Sequence, residues 1–362
     1  VVADQRAEDL GREALEEARA SILALQLESA QQAYGRARAL LGDHRVDRAR
    51  REHLRGTFEQ LYSERQFEVL GSYLDGWRPA ERDVEWQELA ERLAGRGQLA
   101  VAAPDSATVE LCRPGEEGRE WVSWQPELPL PLEELLVRVS TPEFATSVQR
   151  VVIERDAETS LDAPLIPVDR LPPGSELVCD PDGGMPTFVD RTEMSCGSYR
   201  EFLESLTDPA LRRELEPAGW SEQLDDDLPV RGVSFVQART VAAISGRHLL
   251  NEREYQLAAT AGLSTLVYPW GADFDLNKVS ADPSRLDAPL PVSSKASGAS
   301  PHGILHMVGN VAEILSPRVG TWRIPVAGGH YNSLASEVGC ARRDWLNYLA
   351  QKTWVGVRFG RF

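Results

Sequence analysis

An α+β multidomain fold is predicted by three observations on the sequence. Residues 4–96 consist largely of Ala, Leu, Glu, Arg and Gln with hardly any Pro, which is helix-forming composition. At Gly97 the texture changes to short runs rich in Val and Leu separated by turn residues, the pattern of an antiparallel sheet. From about Asp180 strand-like runs alternate with capped helical segments and loops carrying Gly and Trp. A chain of 362 residues is also too long for one small core. The expected division is 1–96, helical hairpins or a bundle; 97–172, a small β-sandwich-like domain with a Pro-rich linker; and 173–362, a mixed domain of strands, helices and long loops.

In the first region Ala30, Ala33, Tyr34, Ala37, Leu40 and Leu41 fall on one helical stripe, and Leu54, Phe58 and Leu61 repeat the spacing. Gly42-Asp43 and the stretch Gly76 to Pro79 punctuate it, so three or four helices are expected. The stretch Ser29 to Leu41 resembles a tetratricopeptide helix, although no 34-residue period recurs. A bundle or stalk and a peptide-binding helical groove are the two readings.

In the second region the runs are Leu99 to Ala103, Ala107 to Arg113, Glu120 to Gln125, Leu135 to Ser140 and Val148 to Glu154. Pro104-Asp105, Pro114-Gly115, Pro126 to Pro131 and Thr141-Pro142 break them, which predicts about five antiparallel strands. Their order resembles the small β domains of bacterial surface and kinase-associated proteins that carry a Pro-Glu-Gly-Ala signature, a signature this sequence lacks. Arg155 to Pro173, with four prolines, reads as a linker or irregular crossing.

In the third region Phe188 to Met194 reads as a strand leading to a helix capped by Ser195, with Tyr199, Phe202, Leu203 and Leu206 on one face. Ser234 and Gln237 form a capping box that opens a helix to about Ser245, and Asn251 with Glu254 repeats the device. Tyr268-Pro269-Trp270-Gly271, Gly309-Asn310-Val311-Ala312-Glu313, Gly328-Gly329-His330-Tyr331 and Gly356-Val357-Arg358 follow. This tract, from about Asp180 to the end, resembles the formylglycine-generating enzyme (sulfatase-modifying factor) family, a branch of the C-type lectin-like fold. The resemblance implies a compact mixed α/β domain whose Trp and Gly residues lock long loops.

The fold hosts an oxidase and many noncatalytic binders, so function has to be argued from the site. The family's oxidase needs two cysteines just after Gly-Gly-x-Tyr, where paired thiolates hold a soft copper(I) ion. Here Ser333 stands at the first position and Val338 near the second, while Cys340 falls in the neighbouring Cys-Ala-x-Arg stretch. A hydroxyl is no soft ligand, so a noncatalytic protein is expected. The family's calcium sites are weakly represented: Asn277, Gly309, Val311 and Glu313 are the candidate donors, and His306 replaces the usual Asp or Asn. Calcium is possible; no other cofactor is expected.

What remains is a segment rich in aromatic and adaptable polar residues: His330, Tyr331, Asn332, Ser333, Asp344, Trp345, Asn347, Tyr348, Gln351, Lys352 and Trp354. Such a mixture suits protein or peptide binding. Its place resembles the varied segment in target proteins of diversity-generating retroelements. The alternative for Trp345 and Trp354 is that they are core residues. The order of the three regions also resembles the regulatory tails of bacterial serine/threonine kinases that carry sulfatase-modifying-factor modules, so a sensor within a larger kinase or effector system is one expectation, and a purely structural tail another. An oxidase with an altered site is the enzymatic alternative.

Charge and cysteines bound the rest. With 39 Lys and Arg against 56 Asp and Glu the net charge is −17, and no basic tract suggests nucleic acid. No run approaches the roughly 18–20 apolar residues that cross a bilayer. Cys112, Cys179, Cys196 and Cys340 lie far apart with no C-x-x-C pair, so neither a zinc site with His302 and His306 nor a disulfide scaffold is expected, and a reducing, cytoplasmic setting is. The start at Val1 reads as a fragment or processed product with no signal peptide. None of the six histidines accompanies a nucleophile motif, no phosphate-binding loop occurs, and Asp225-Asp226-Asp227 reads as a solvated loop.

Overall fold

The structure of the protein is a computed structural model that describes residues 2–24, 26–77, 84–113, 120–282 and 287–362. The turns expected at Pro79 and at Pro114-Gly115 lie outside the described residues. Contacts divide the chain into two compact units, residues 1–97 with 130–132 and residues 98–129 with 133–362. The β region and the C-terminal region therefore pack as one unit.

The first unit holds α1 (Val2–Leu23), α2 (Leu27–Leu41), α3 (Asp43–Ser63), α4 (Phe67–Asp75) and α5 (Val84–Ala94). The count exceeds the expected three or four because α3 ends without Gly or Pro: Arg65 takes a left-handed φ of 56° and its N–H closes on the Tyr62 carbonyl. Gly42, at φ 81°, makes the sharp join between α2 and α3. Ala30, Ala33, Tyr34 and Ala37 are buried with Leu54, Phe58 and Leu61 in the unit's core. Leu41 packs partly buried against the same core, whereas Leu40 is exposed.

The strands β1 (Arg96–Ala102), β2 (Thr108–Cys112), β3 (Val122–Ser123), β4 (Leu130–Pro131), β5 (Glu134–Ser140), β6 (Ser147–Val152) and β7 (Glu158–Asp162) come next. Four of the five expected runs form the antiparallel sheet β3-β2-β5-β6. The first run does not join it. Residues 98–102 of β1 instead pair in parallel with β7, which lies in the stretch expected to be a linker. Asp156, at φ 53°, turns the chain just before β7, and Thr159, Ser160 and Leu161 then suit a pleated edge.

The C-terminal region comprises β8 (Ser175–Val178), β9 (Thr187–Asp190), α6 (Cys196–Ser205), α7 (Pro209–Leu215), α8 (Phe235–Ile244), β10 (His248–Leu249), α9 (Glu252–Thr260), β11 (Ala312–Ile314), β12 (Ile324–Gly328), β13 (Gly339–Leu346), β14 (Val355–Gly356) and β15 (Phe359–Arg361). The last strand lies between β10 and β9 in the sheet β10-β15-β9-β8, so the end of the chain is held by its middle. A second sheet runs β13-β12-β11-β14. The caps form where the sequence places them. Ser195 accepts from the Ser198 N–H at 3.1 Å, Ser234 and Gln237 make a reciprocal box, and Asn251 and Glu254 make another. Asn251→Ala is expected to lower stability by about 1 kcal/mol, measured as a lower urea midpoint with unchanged slope.

Candidate functional site

The glycine motifs brace the turns that carry the site. Gly309 (φ 80°) and Gly328 (φ 88°) sit where a Cβ would strike backbone, at 2.6 Å from the Ser280 carbonyl oxygen and 2.9 Å from that of Met307. Only glycine fits both the torsion and the space. The Gly309 N–H donates to the Gly328 carbonyl at 3.1 Å and the Tyr331 N–H donates to the Asn310 carbonyl at 2.9 Å, which joins the Gly-Asn-Val turn to the Gly-Gly-His-Tyr turn. Beneath both, buried Asn310 donates from Nδ2 to Glu193 Oε2 at 3.1 Å, and the Val311 N–H reaches Glu193 Oε1 at 3.3 Å.

Above this floor, a shallow cavity of about 360 Å³ is lined by residues that include His330, Ser333, Asp344, Trp345 and Trp354. Five of the sequence-predicted residues thus share one surface, and Glu337, Arg342 and Leu346 complete it. The His330 and Trp354 rings stack at 4.7 Å. Burial holds the His330 pKa below the usual imidazole range, so the ring is neutral at pH 7. Arg342 pairs with Asp344 at 2.9 Å. Trp345 keeps 49% of its surface exposed, which answers the core alternative for this residue; Trp354 is only partly buried against the core.

The other expected binding residues are placed differently. Tyr331 is buried beneath the turn. Tyr348 packs edge-on against Phe235 at 5.3 Å and its hydroxyl donates to the Thr321 carbonyl at 3.1 Å. Gln351 donates to Gln237 Oε1 at 2.9 Å, outside the cavity lining. Asn332 and Asn347 are exposed but do not line the cavity. The segment is crossed by β13, in which Arg343 to Leu346 pair with Ile324 to Ala327 of β12 and Gly339 pairs with Gly328 after a shift in register. Glu337 and Arg342 were missed for want of an aromatic or hydrogen-bonding signature in the sequence around them.

The thiols do not fit a copper site. Cys112, Cys179, Cys196 and Cys340 are all buried, each in a different core cluster. At the cavity, Ser333 Oγ accepts the His330 N–H at 3.2 Å and so closes a turn. Burial pushes the Cys179 thiol up to about 12 and raises that of Cys196 as well, away from the thiolate form that binds metal. A disulfide reagent is expected to label none of the four in the folded chain within minutes and all four after unfolding in urea.

Two of the four candidate calcium donors have other contacts or positions in the structure. Both oxygens of Glu313 are taken by Arg358, at 2.6–3.1 Å. Asn277 is exposed in a turn with its N–H on Asp275 Oδ1 at 2.8 Å. Among the described residues no group of three or more His, Cys, Asp or Glu is placed to hold a metal ion. His306, the departure from the family pattern, is buried with Nε2 3.2 Å from Ser294 Oγ. Of the acidic triplet, Asp226 pairs with Arg200 and Asp225 accepts from the Asp227 N–H at 3.1 Å. No helix among the described residues is long and apolar enough to cross a membrane.

Residues 185–361 match the family model described as Sulfatase-modifying factor enzyme 1-like domain. Similar curated proteins include the inactive C-alpha-formylglycine-generating enzyme 2 of Bos taurus, 32% identical over 109 residues that make up 27% of this chain and 36% of that protein. Another is the serine/threonine-protein kinase pkn1 of Chlamydia caviae, 29% identical over 150 residues, 36% of this chain and 23% of the kinase. The chain thus spans little more than a third of the first relative and less than a quarter of the second. Among solved structures, PvdO from Pseudomonas aeruginosa aligns with a TM-score of 0.41 at 16% identity, over 52% of this chain and 91% of that one. Treponema denticola variable protein 1 aligns with a TM-score of 0.38 at 13% identity, over 49% of this chain and 84% of that one.

Proposed function

With a C-terminal half built as a sulfatase-modifying factor enzyme 1-like domain, we propose that the chain is a noncatalytic recognition protein that binds a protein or peptide through the rim of its C-terminal cavity. The observation that carries this reading is the cavity's composition. Trp345, the His330–Trp354 stack, Asp344 and Arg342 line one open cavity together with Ser333, the residue that the sequence resemblance aligns with the first thiolate position of the oxidase. Rigid aromatics give contact area at little entropic cost, and the neighbouring polar groups give direction. The resemblance to a relative named as inactive supports the same reading.

The test is selection of peptides from a random display library on the full chain. Selected peptides are expected to lose roughly tenfold in affinity with Trp345→Ala or with Asp344→Ala. Tyr331→Phe and Tyr348→Phe, both inside the surface, serve as controls expected to retain binding. Turnover of a Cys-containing peptide to an aldehyde in the presence of copper(I) would overturn the reading in favour of an enzyme.

The chlamydial kinase among the relatives favours a second statement, that this module works inside a larger kinase or effector system. The reading frame upstream in the genome tests it, a kinase domain being the expected neighbour.

A further inference from the structure

A second cavity, of about 560 Å³, opens in the second unit between the antiparallel sheet and the loops that follow α9. Its volume lies in the range of small-molecule sites, and it sits where two layers of different origin meet, a common place for one. Trp121 and Trp270 contribute aromatic carbon to the lining, Trp270 with one ring face stacked on Tyr268 at 5.3 Å. Trp270 spends its indole N–H on the Asp273 carbonyl at 3.0 Å and so offers the cavity carbon surface.

The charges are the unexpected part. In a chain of net charge −17, the described residues that line this cavity include two cations, Arg138 and Lys278, against one carboxylate, Glu176. Arg138 lies 4.2 Å from the Trp121 ring centroid and gives Nε and Nη2 to Glu110 at 2.8 and 2.6 Å, which leaves Nη1 outside that pair. Among the described residues Lys278 is paired with Asp275 at 3.9 Å, beyond hydrogen-bond range, and its side chain is 24% exposed. An ammonium has three protons to donate. Gly298 packs closely on the Lys278 backbone, where a Cβ would lie 1.9 Å from the Lys278 carbonyl oxygen. Glu176, the carboxylate among the described lining residues, has Arg191 as an ion-pair partner at 3.8 Å, which offsets its charge.

We propose that this cavity binds a small molecule in which a flat apolar body carries an anionic head, carboxylate or phosphate, with the body between Trp121 and Trp270 and the head at Lys278. The site is separate from the peptide-binding rim, and neither reading depends on the other.

Four probes that share one ring system test it on the full chain by tryptophan quenching: 1-naphthoate, 1-naphthyl phosphate, 1-naphthalenemethanol and 1-naphthylmethylammonium. The two anions are expected to bind saturably and about tenfold more tightly than the alcohol, with the ammonium weakest. The ratio of the two anions tells carboxylate from phosphate. Lys278→Met should bring the anions to the level of the alcohol, and Lys278→Glu should invert the order. Trp121→Leu should weaken all four. A urea midpoint equal to that of the parent shows that a variant is folded. Equal affinity across the four probes, anion binding indifferent to Lys278→Met, or no saturable binding by any probe overturns the proposal.

Discussion

Arg358→Leu is expected to destabilise the C-terminal unit by roughly 3–5 kcal/mol, enough to leave much of the chain unfolded at 37 °C. The guanidinium is fully buried and bonds to both oxygens of Glu313, to the Asp190 carbonyl at 2.9 Å and to the Leu305 carbonyl at 2.7 Å. One side chain therefore ties the end of β9, the loop before the Gly-Asn-Val turn and β11. Its loss strands a carboxylate in the interior and leaves two carbonyls short of a donor, and the stranded charge is the larger cost. A double-mutant cycle separates these costs. Adding Glu313→Gln should recover a part of the loss, because the uncompensated charge goes, while the two carbonyls still lack their donor. If the double variant is as unstable as the sum of the singles, the ion pair is not what holds this region together.

This buried pair marks the boundary of what the sequence makes legible. Local signals were readable because their physics is local: Ser234 with Gln237 and Asn251 with Glu254 announce helix starts three residues apart, and the structure forms both boxes. The glycine motifs were readable as motifs, and the resemblance they carry holds over residues 185–361. Long-range choices were not. Nothing near Leu99 says that it pairs in parallel with Thr159 rather than joining the antiparallel sheet. Tyr331 and Trp345 look alike as candidate contact residues, yet one is buried in a turn held by its N–H on the Asn310 carbonyl and the other half-exposed on β13, opposite Pro325 of β12, and both partners are distant in sequence. Glu193 drew attention only as part of a strand exit, although it meets Asn310 in the interior, 117 residues away.

Glu193 leads to the second large expectation, a fall in stability as pH rises through neutrality. Burial pushes its pKa from 4.5 up to about 8, with the nearby Arg358 opposing and Glu313 adding to the rise. The folded chain therefore holds a proton that the unfolded chain releases above its ordinary carboxyl pKa. Its contribution is fully present below about pH 4.5 and is lost by about pH 8. His306 works the other way. Burial lowers its pKa from 6.5 to about 4, so its contribution is complete above 6.5 and disappears as the pH falls to 4. The two oppose each other below pH 6.5, and between 6.5 and 8 Glu193 acts without that offset. In that window stability should drop by about 1.4 kcal/mol per pH unit, roughly 2 kcal/mol in all. The urea midpoint of the parent chain across pH 5 to 8.5 measures it. Glu193→Gln should flatten the descent above pH 6.5 at a constant loss of about 1 kcal/mol, since an amide nitrogen cannot accept from both Asn310 Nδ2 and the Val311 N–H as the two carboxyl oxygens do. His306→Gln should expose the Glu193 descent below pH 6.5, where the parent curve is nearly level. A parent midpoint that climbs from pH 6.5 to 8, or a Glu193→Gln variant with the same slope as the parent, would show that this carboxyl is ionised in the folded chain and that Arg358 serves both glutamates.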